Sequence, residues 1–207
     1  MSNWLGRAIL LAAVLTPATF LHAALPTPGA PAARGSLAGQ LLIATPAMGD
    51  ARFDHTVILL VQHSQDGALG LIINRPVGEQ PLTKVLEILG QKADAITGTV
   101  RVFAGGPVQP GIGFVIHSTD YRKNETVSVD ENVAVTSTPE ILRDMGHNKG
   151  PKKAIIAFGY AGWAGGQLED EIQHGAWYMA PDDPALIFDE DREKVWERAM
   201  AHRTQDL

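Results

Sequence analysis

Ala157 to Ile172 reads A-F-G-Y-A-G-W-A-G-G-Q-L-E-D-E-I, an apolar run that crosses four glycines and three aromatics into an acidic segment. No other stretch of the chain narrows the possible folds as much. The residues leading into it, Lys153 to Phe158, are apolar enough for a strand buried on both faces. Gly159, Gly162, Gly165 and Gly166 then predict a tight turn. Glycine accepts positive φ and lets other atoms approach the backbone. Tyr160 and Trp163 can therefore lie flat on main chain, in a core or against a ligand. Gln167 to His174 predicts a helix stopped by Gly175. Its early carboxylates, Glu169, Asp170 and Glu171, suit the positive end of a helix dipole.

The other elements are read outward from this one. Gln40 to Thr45 is an apolar strand that ends at Pro46. His55 to Gln62 and Ala68 to Asn74 are two apolar strands around His63-Ser64-Gln65-Asp66-Gly67, a hairpin pattern. Gly70 inside the second strand predicts a bulge or a close backbone approach, and Pro76 bars a central strand beyond it. Pro81 to Leu89 has helical spacing at Leu82, Val85, Leu86 and Leu89, with Gly90 as the stop. Thr99 to Ala104 and Gly113 to Ser118 read as strands. Glu125 to Val129 and Asn132 to Thr136 read as partners. Ser137, Pro139 and Glu140 predict a capped helix start with a capping box, running through Ile141, Leu142 and Met145 to Gly146. Ala176 to Met179 and Leu186 to Phe188 read as short strands. Asp191 to Arg203 reads as a helix with Val195, Trp196 and Met200 along one stripe. Strands and helices are interspersed without regular β-α-β alternation, which predicts an α+β domain.

Residues 1 to 34 differ in kind. Arg7 precedes the apolar run Ala8 to Leu15, Pro17 interrupts it, Phe20-Leu21 resumes it and His22-Ala23-Ala24 closes it. That is the basic, apolar and small-residue order of a secretory signal. The run is too short and too broken for a membrane span. The expected organisation is a signal peptide over 1–23, a Pro/Ala-rich linker over 24–35 and one folded domain over 36–207. A periplasmic or secreted protein follows, with no stable membrane span once the signal is cleaved. The alternatives are a misplaced start codon and a cytoplasmic protein, or an uncleaved anchor. The chain has no cysteine, which removes disulfides and thiolate chemistry.

Several motifs resemble the YqgE/AlgH family of bacterial proteins. Its signature G-Y-A-G-W-x-x-G-Q-L-E-x-E-I is similar to Gly159-Tyr160-Ala161-Gly162-Trp163, Gly165/Gly166, Gln167-Leu168-Glu169 and Glu171-Ile172. The likeness continues in the opening Leu42-Ile43-Ala44-Thr45-Pro46, the strand ending Asn74-Arg75-Pro76, Gly105-Gly106-Pro107-Val108, and the F-V-x-H run from Phe114 to His117. The resemblance implies a single α+β domain of coiled, branching, mostly antiparallel β-sheet flanked by helices. It implies little activity, because the family is uncharacterised beyond a reputation for transcriptional control. Its members generally look cytoplasmic and begin near Ser36.

The sequence holds no G-x-x-x-x-G-K-[ST], no G-x-S-x-G and no H-E-x-x-H. Glu171 and Asp170 share a predicted helix face with His174. Carboxylate and imidazole can ligate a transition metal, but the sequence specifies no completing pair. A solvated acidic face is the plainer reading, and no metal or cofactor is expected. His63 near Asp66 and His117 near Asp120 suit general bases, although both also suit backbone bonds at turn edges. The glycine segment is either architectural or part of a ligand site lined by Asn74, Tyr160, Trp163 and Gln167. Lys149, Lys152 and Lys153, with Arg143, form the basic cluster, but a strand is expected where a helix-turn-helix needs its second helix. A net charge of −6 also disfavours direct nucleic-acid binding. The leading reading is a non-enzymatic binding or regulatory protein with a small-molecule or protein partner. The alternatives are a cytoplasmic transcriptional regulator and a hydrolase using His63 or His117.

Overall fold

The computed structural model describes residues 35–93, 96–188 and 191–204. The expected signal peptide, and the expected linker up to its last residue, lie outside them. The strands are β1 (Leu41–Ala44), β2 (Val57–Ser64), β3 (Gly67–Ile72), β4 (Pro76–Pro81), β5 (Thr99–Ala104), β6 (Val108–Ser118), β7 (Thr126–Ser128), β8 (Val133–Thr136), β9 (Ala154–Ala164) and β10 (Trp177–Ala180). The helices are α1 (Leu82–Ile88), α2 (Glu140–Gly146), α3 (Gln167–Gln173), α4 (Pro184–Phe188) and α5 (Val195–Ala201). The strands run β10-β1-β2-β3-β9-β6-β8-β7, and a β4-β5 ladder joins the same β9. β5 lies parallel to β9, and the other ladders are antiparallel. The domain is the expected α+β one, with a branching sheet.

The branch lies within β9. Its first half sits between two strands, Ile156 facing both Val102 of β5 and Val115 of β6. Its second half turns to β3, where Ala161 faces Gly70 and Ala164 faces Gly67. Between the halves stands Gly159 at φ +73°, a conformation that β-branched and bulky residues avoid. The glycine segment expected as one turn is therefore strand as far as Ala164, and the turn is confined to Gly165 and Gly166. β3 supplies the hydrogen-bond partners that carry the strand onward. The approach is close: a Cβ on Gly67 would stand 2.2 Å from the Trp163 carbonyl oxygen.

Three apolar clusters fill the two sides. Along β1 to β3, alternate residues go to opposite faces. Leu41, Ile43, Val57, Leu59, Leu69 and Leu71 face α4 and α5. Leu42, Ile58, Leu60 and Ile72 face the side where Trp163, Leu168 and Trp177 pack. Val100, Val102, Val115 and Ile156 pack on α1 and α2.

Several local expectations are corrected. The hairpin turn is only Gln65 and Asp66, because β2 and β3 stay paired to Ser64 and Gly67. The irregularity expected at Gly70 falls across the ladder, where Val61 is the extra residue between Leu60 and Gln62. A Cβ on Gly70 would stand 2.4 Å from Ile58 Cγ2, so that glycine serves close approach. β4 was not expected. Pro76 opens it, and because β4 is exposed and pairs with β5 alone, the bar on a central strand at that proline holds. Leu186 to Phe188 are helical, in α4, where the Asp183 carboxylate accepts from the Ala185 N–H. α2 begins after Pro139 with no side-chain cap. Glu140 pairs with Lys123 at 3.2 Å instead of completing a capping box. The last helix is preceded by a 3-10 turn over Arg192–Lys194.

Gly106→Ala should be costly. Its Cβ would stand 2.1 Å from the Tyr160 carbonyl carbon, and overpacking of this kind destabilises by about 1–3 kcal/mol. Gly111→Ala meets nothing within 4 Å and should stay within about 0.5 kcal/mol of wild type. Urea midpoints at unchanged slope measure both.

Candidate functional site

The signature segment ends in a closed hydrogen-bond network. Trp163 on β9 and Trp177 on β10 are buried. Both indole N–H groups donate to Glu171 Oε2 at 2.8 Å. Gln167 Nε2 donates to Glu171 Oε1 at 2.9 Å, and Gln167 Oε1 accepts from the Ala164 N–H at 3.1 Å. A charged acceptor strengthens the three bonds that end on Glu171. Glu171 therefore ties α3 to two strands instead of standing on the solvated helix face expected for it. The available signal was Trp163 and Trp177, since buried indoles need an acceptor. His174, which shares that helix face in the sequence, donates from Nδ1 to the Asp170 carbonyl at 2.7 Å. No group of three His, Cys, Asp or Glu residues is placed to share a metal ion among the described residues.

The two candidate bases are internal fasteners. His63 Nδ1 accepts from the Leu37 N–H at 3.1 Å, so the proton sits on Nε2 and goes to Glu169 Oε1 at 2.7 Å. The backbone bond at its own N–H, and then His63, hold the Glu169 carboxyl below the ordinary carboxylate value. The Ser36 hydroxyl donates to the His63 carbonyl, so this residue ties the start of the domain and α3 to β2. Asp66 takes no part; its N–H goes to Ser64 Oγ. His117 is 0% exposed. The Ser118 carbonyl can only accept, so Nδ1–H donates to it at 2.9 Å. Burial pushes the imidazole below its ordinary 6.5, which leaves the neutral Nε2 accepting from the Thr136 hydroxyl at 2.9 Å. The chain continues, with Thr126 donating to Thr136 and the Lys123 N–H donating to Thr126. Ser118 faces Asp120 and not His117.

The four predicted ligand residues fall into separate places. Trp163 and Gln167 meet on Glu171. Tyr160 lies in the opposite cluster, edge-on to Phe114 at 6.1 Å. Asn74 Oδ1 accepts from the Val57 N–H, and its Nδ2 donates to the His55 carbonyl, both at 2.8 Å. That holds the start of β2 in place just before Arg75. The basic cluster is dispersed: Lys153 Nζ stands over the Phe188 ring, and Arg143 donates to Gln91. A strand, β9, follows α2 as expected.

A cleft that sequence reasoning missed opens where three motif segments cross. The Ile72 N–H donates to the Gly105 carbonyl, Ala104 N–H to Arg75, and Gly105 N–H to Phe158. The cleft between them has a volume of about 210 Å³ and is lined by Arg52, Ile72, Arg75, Ala104, Gly106 and Pro107. Its floor is apolar and its charged side chains are both guanidinium groups. Arg52 forks onto Asp50, while Arg75 donates one Nη2 bond to the Asp54 carbonyl. A larger cleft of about 410 Å³ lies beside β4 and the 3-10 turn, with Glu79, Arg101, Asp191 and Glu193 giving it both signs of charge. No helix among the described residues is long and apolar enough to cross a membrane.

A family profile described as AlgH-like matches residues 41–207. A UPF0301 protein of Bradyrhizobium diazoefficiens is 46% identical over 181 residues, covering 84% of this chain and 85% of that one. A UPF0301 protein of Methylococcus capsulatus is 41% identical over 175 residues, covering 84% and 96%. The solution structure of the AlgH protein from Pseudomonas aeruginosa superposes with a TM-score of 0.70 at 38% identity, over 84% of this chain and 92% of that one. A crystal structure from Corynebacterium diphtheriae, at 20% identity and a TM-score of 0.66, covers 86% and 90% and shares the fold.

Glu171→Ala should leave two buried indole N–H groups without an acceptor, at a cost of about 1–3 kcal/mol in urea unfolding and with altered tryptophan fluorescence. Glu171→Gln keeps an acceptor oxygen and should lose less. His117, neutral in the fold, contributes stability that is present above its ordinary 6.5 and is lost as pH falls below it. Nitrogen NMR should show its ring still neutral where an unfolded histidine is charged, and His117→Asn should remove that part of the acid loss.

Proposed function

The chain belongs to the AlgH-like family, and on that premise we propose that it is a non-enzymatic binding protein whose ligand presents a small oxyanion, carboxylate or phosphate, to Arg52 and Arg75. The cleft carries this reading. Guanidinium groups match the planar, paired oxygens of such anions. The apolar floor at Ile72 and Pro107 suits a short hydrocarbon portion beside the charge. At about 210 Å³ the space is below the range of drug-sized sites. It fits a small acid or the acidic end of a larger partner.

The histidine chemistry supports binding over hydrolysis. A general base needs an available nitrogen lone pair. In His63 that lone pair accepts from Leu37, and in His117 it accepts from Thr136. Asn74 and Tyr160 serve the cleft from behind: Asn74 fixes the chain just before Arg75, and the Tyr160 backbone packs on Gly106. Trp163 and Gln167 hold α3 to the sheet. The signal pattern in residues 1–34 supports export, so that the ligand is met outside the cytoplasm. The net charge of −6 argues against a nucleic-acid partner.

Titration with acetate and with inorganic phosphate, followed by amide NMR, should move the Ile72, Ala104 and Gly106 signals. Arg75→Met keeps the apolar stem, removes the charge and should weaken binding about tenfold or more. Equal binding by that variant would place the anion elsewhere. Turnover of an ester or phosphoester panel that disappears in His63→Ala or His117→Ala, with the fold intact, would replace the binding reading with a catalytic one.

A further inference from the structure

Two carboxyl groups from distant parts of the chain meet beside the domain's first residues. Asp130 occupies the turn between β7 and β8. Its Oδ1 accepts from the Asn132 and Val133 N–H groups at 2.5 and 2.8 Å, and the Ser128 hydroxyl donates to its carbonyl. Its Oδ2 is sealed from solvent and has no donor among the described residues. Asp182 lies in the connection from β10 to α4. Its Oδ2 is sealed and undonated in the same way. The β1–β10 ladder ends with Leu41 opposite Ala180, so Asp182 and Gly39 lie just beyond the same end of it. The segment entering β1 passes over the pair, since a Cβ on Gly39 would stand 3.9 Å from Asp130 Oδ2.

Two facing carboxylates repel and cannot both stay ionised out of water. One proton between them solves the problem, because the protonated group donates to the orphan oxygen of the other. We propose that Asp130 and Asp182 share a single proton as an acid-closed clasp, which fastens the β7-β8 turn to the β10-α4 connection and opens as that proton is lost to water. On opening, both groups ionise, repel each other and take up solvent.

The surroundings push the same way. Burial first, and then the charge of Asp130, raise the Asp182 carboxyl to about 6, with Asp183 and Glu131 adding to the effect. His202 stands 4.0 Å from Asp183 Oδ2 and faces that residue, while the neighbouring Arg203 stands over the Tyr178 ring and donates to the Met200 carbonyl. Asp183 is also engaged by the Ala185 N–H, while the Glu131 carbonyl accepts from Thr119. In the opened state Asp182 returns to its ordinary 3.8. A raised value in the closed state means that the clasp's contribution is complete below about 3.8 and is lost as pH rises through about 6. Between about pH 4.5 and about pH 7.5 the local opening constant should grow on the order of tenfold.

The test uses the full chain. Amide hydrogen exchange at Asn132, Val133 and Ala185, corrected for the intrinsic pH effect, should show wild-type protection falling about tenfold across that range. Asp182→Asn supplies an amide donor that does not titrate, so its protection should be independent of pH. His202→Gln should retain the wild-type dependence. A dependence that persists in Asp182→Asn, or that disappears only in His202→Gln, overturns the clasp. If Asp182→Asn does not fold, carboxyl-carbon NMR of the wild type decides. Titration of Asp182 well above its ordinary value supports the shared proton, and titration near about 3.8 refutes it.

Discussion

The domain depends on β9 having a backbone that can serve different partners at its two ends. A strand has hydrogen-bonding groups on two edges only, so two sheets can share it only if it changes partner along its length. The change occurs at Gly159, whose φ of +73° turns the strand from β5 and β6 toward β3. Gly105 and Gly106 come within contact distance of the same point. A side chain on either would strike the β9 backbone, Gly105 at the Gly159 carbonyl oxygen and Gly106 at Tyr160. The glycines thus act as clearance at a crossing of main chains. The cleft is a by-product of that crossing. Ile72, Arg75, Ala104 and Gly106 line one cavity because the strands that carry them are drawn together there.

Around this frame, polar side chains act chiefly as ties between elements distant in sequence. His63 joins residues 36 and 37 to α3, and Glu171 joins α3 to β9 and β10. His117 closes a chain of hydroxyls between β6, β7 and β8. Such groups must be fully satisfied, because a half-satisfied buried network is worse than an apolar one. Their composition resembles that of a catalytic site, with histidines beside carboxylates and hydroxyls. What separates the two is the direction of each proton. In both histidines the single lone pair points at a donor of the fold.

That distinction also explains what the sequence could disclose. Period-two and helical spacing marked most strands and helices, because burial alone determines those patterns. β4 escaped because its residues are exposed and bounded by Pro76 and Pro81, so no burial pattern exists to read. Leu186 to Phe188 read as a strand because so short an apolar run has no visible period. The β9 extension was invisible because Gly159 to Ala164 look like a turn until β3 is set against them. Among the site residues, the glycine motifs were legible as close approaches, but what they approach was not. Arg52 and Arg75 lie twenty-three positions apart in ordinary loop sequence, and only the crossing of β3 and β5 gives them a common cavity. Asp130 and Asp182 are still further apart, and no local pattern marks either as the other's partner.

The two titrating features have opposite signs. His117 must stay neutral, so its contribution fades as pH falls below its ordinary 6.5. The carboxyl pair must hold a proton, so its contribution fades as pH rises through about 6. Their positions differ as well. His117 lies inside the sheet, where charging it opposes the global fold. The carboxyl pair joins a turn to a connecting loop, where ionisation releases only a local contact. Acid therefore loads the core while it tightens the periphery, and alkali does the reverse. A domain built in this way keeps its sheet at neutral pH while the contact between the β7-β8 turn and the β10-α4 connection is held to a degree set by the medium.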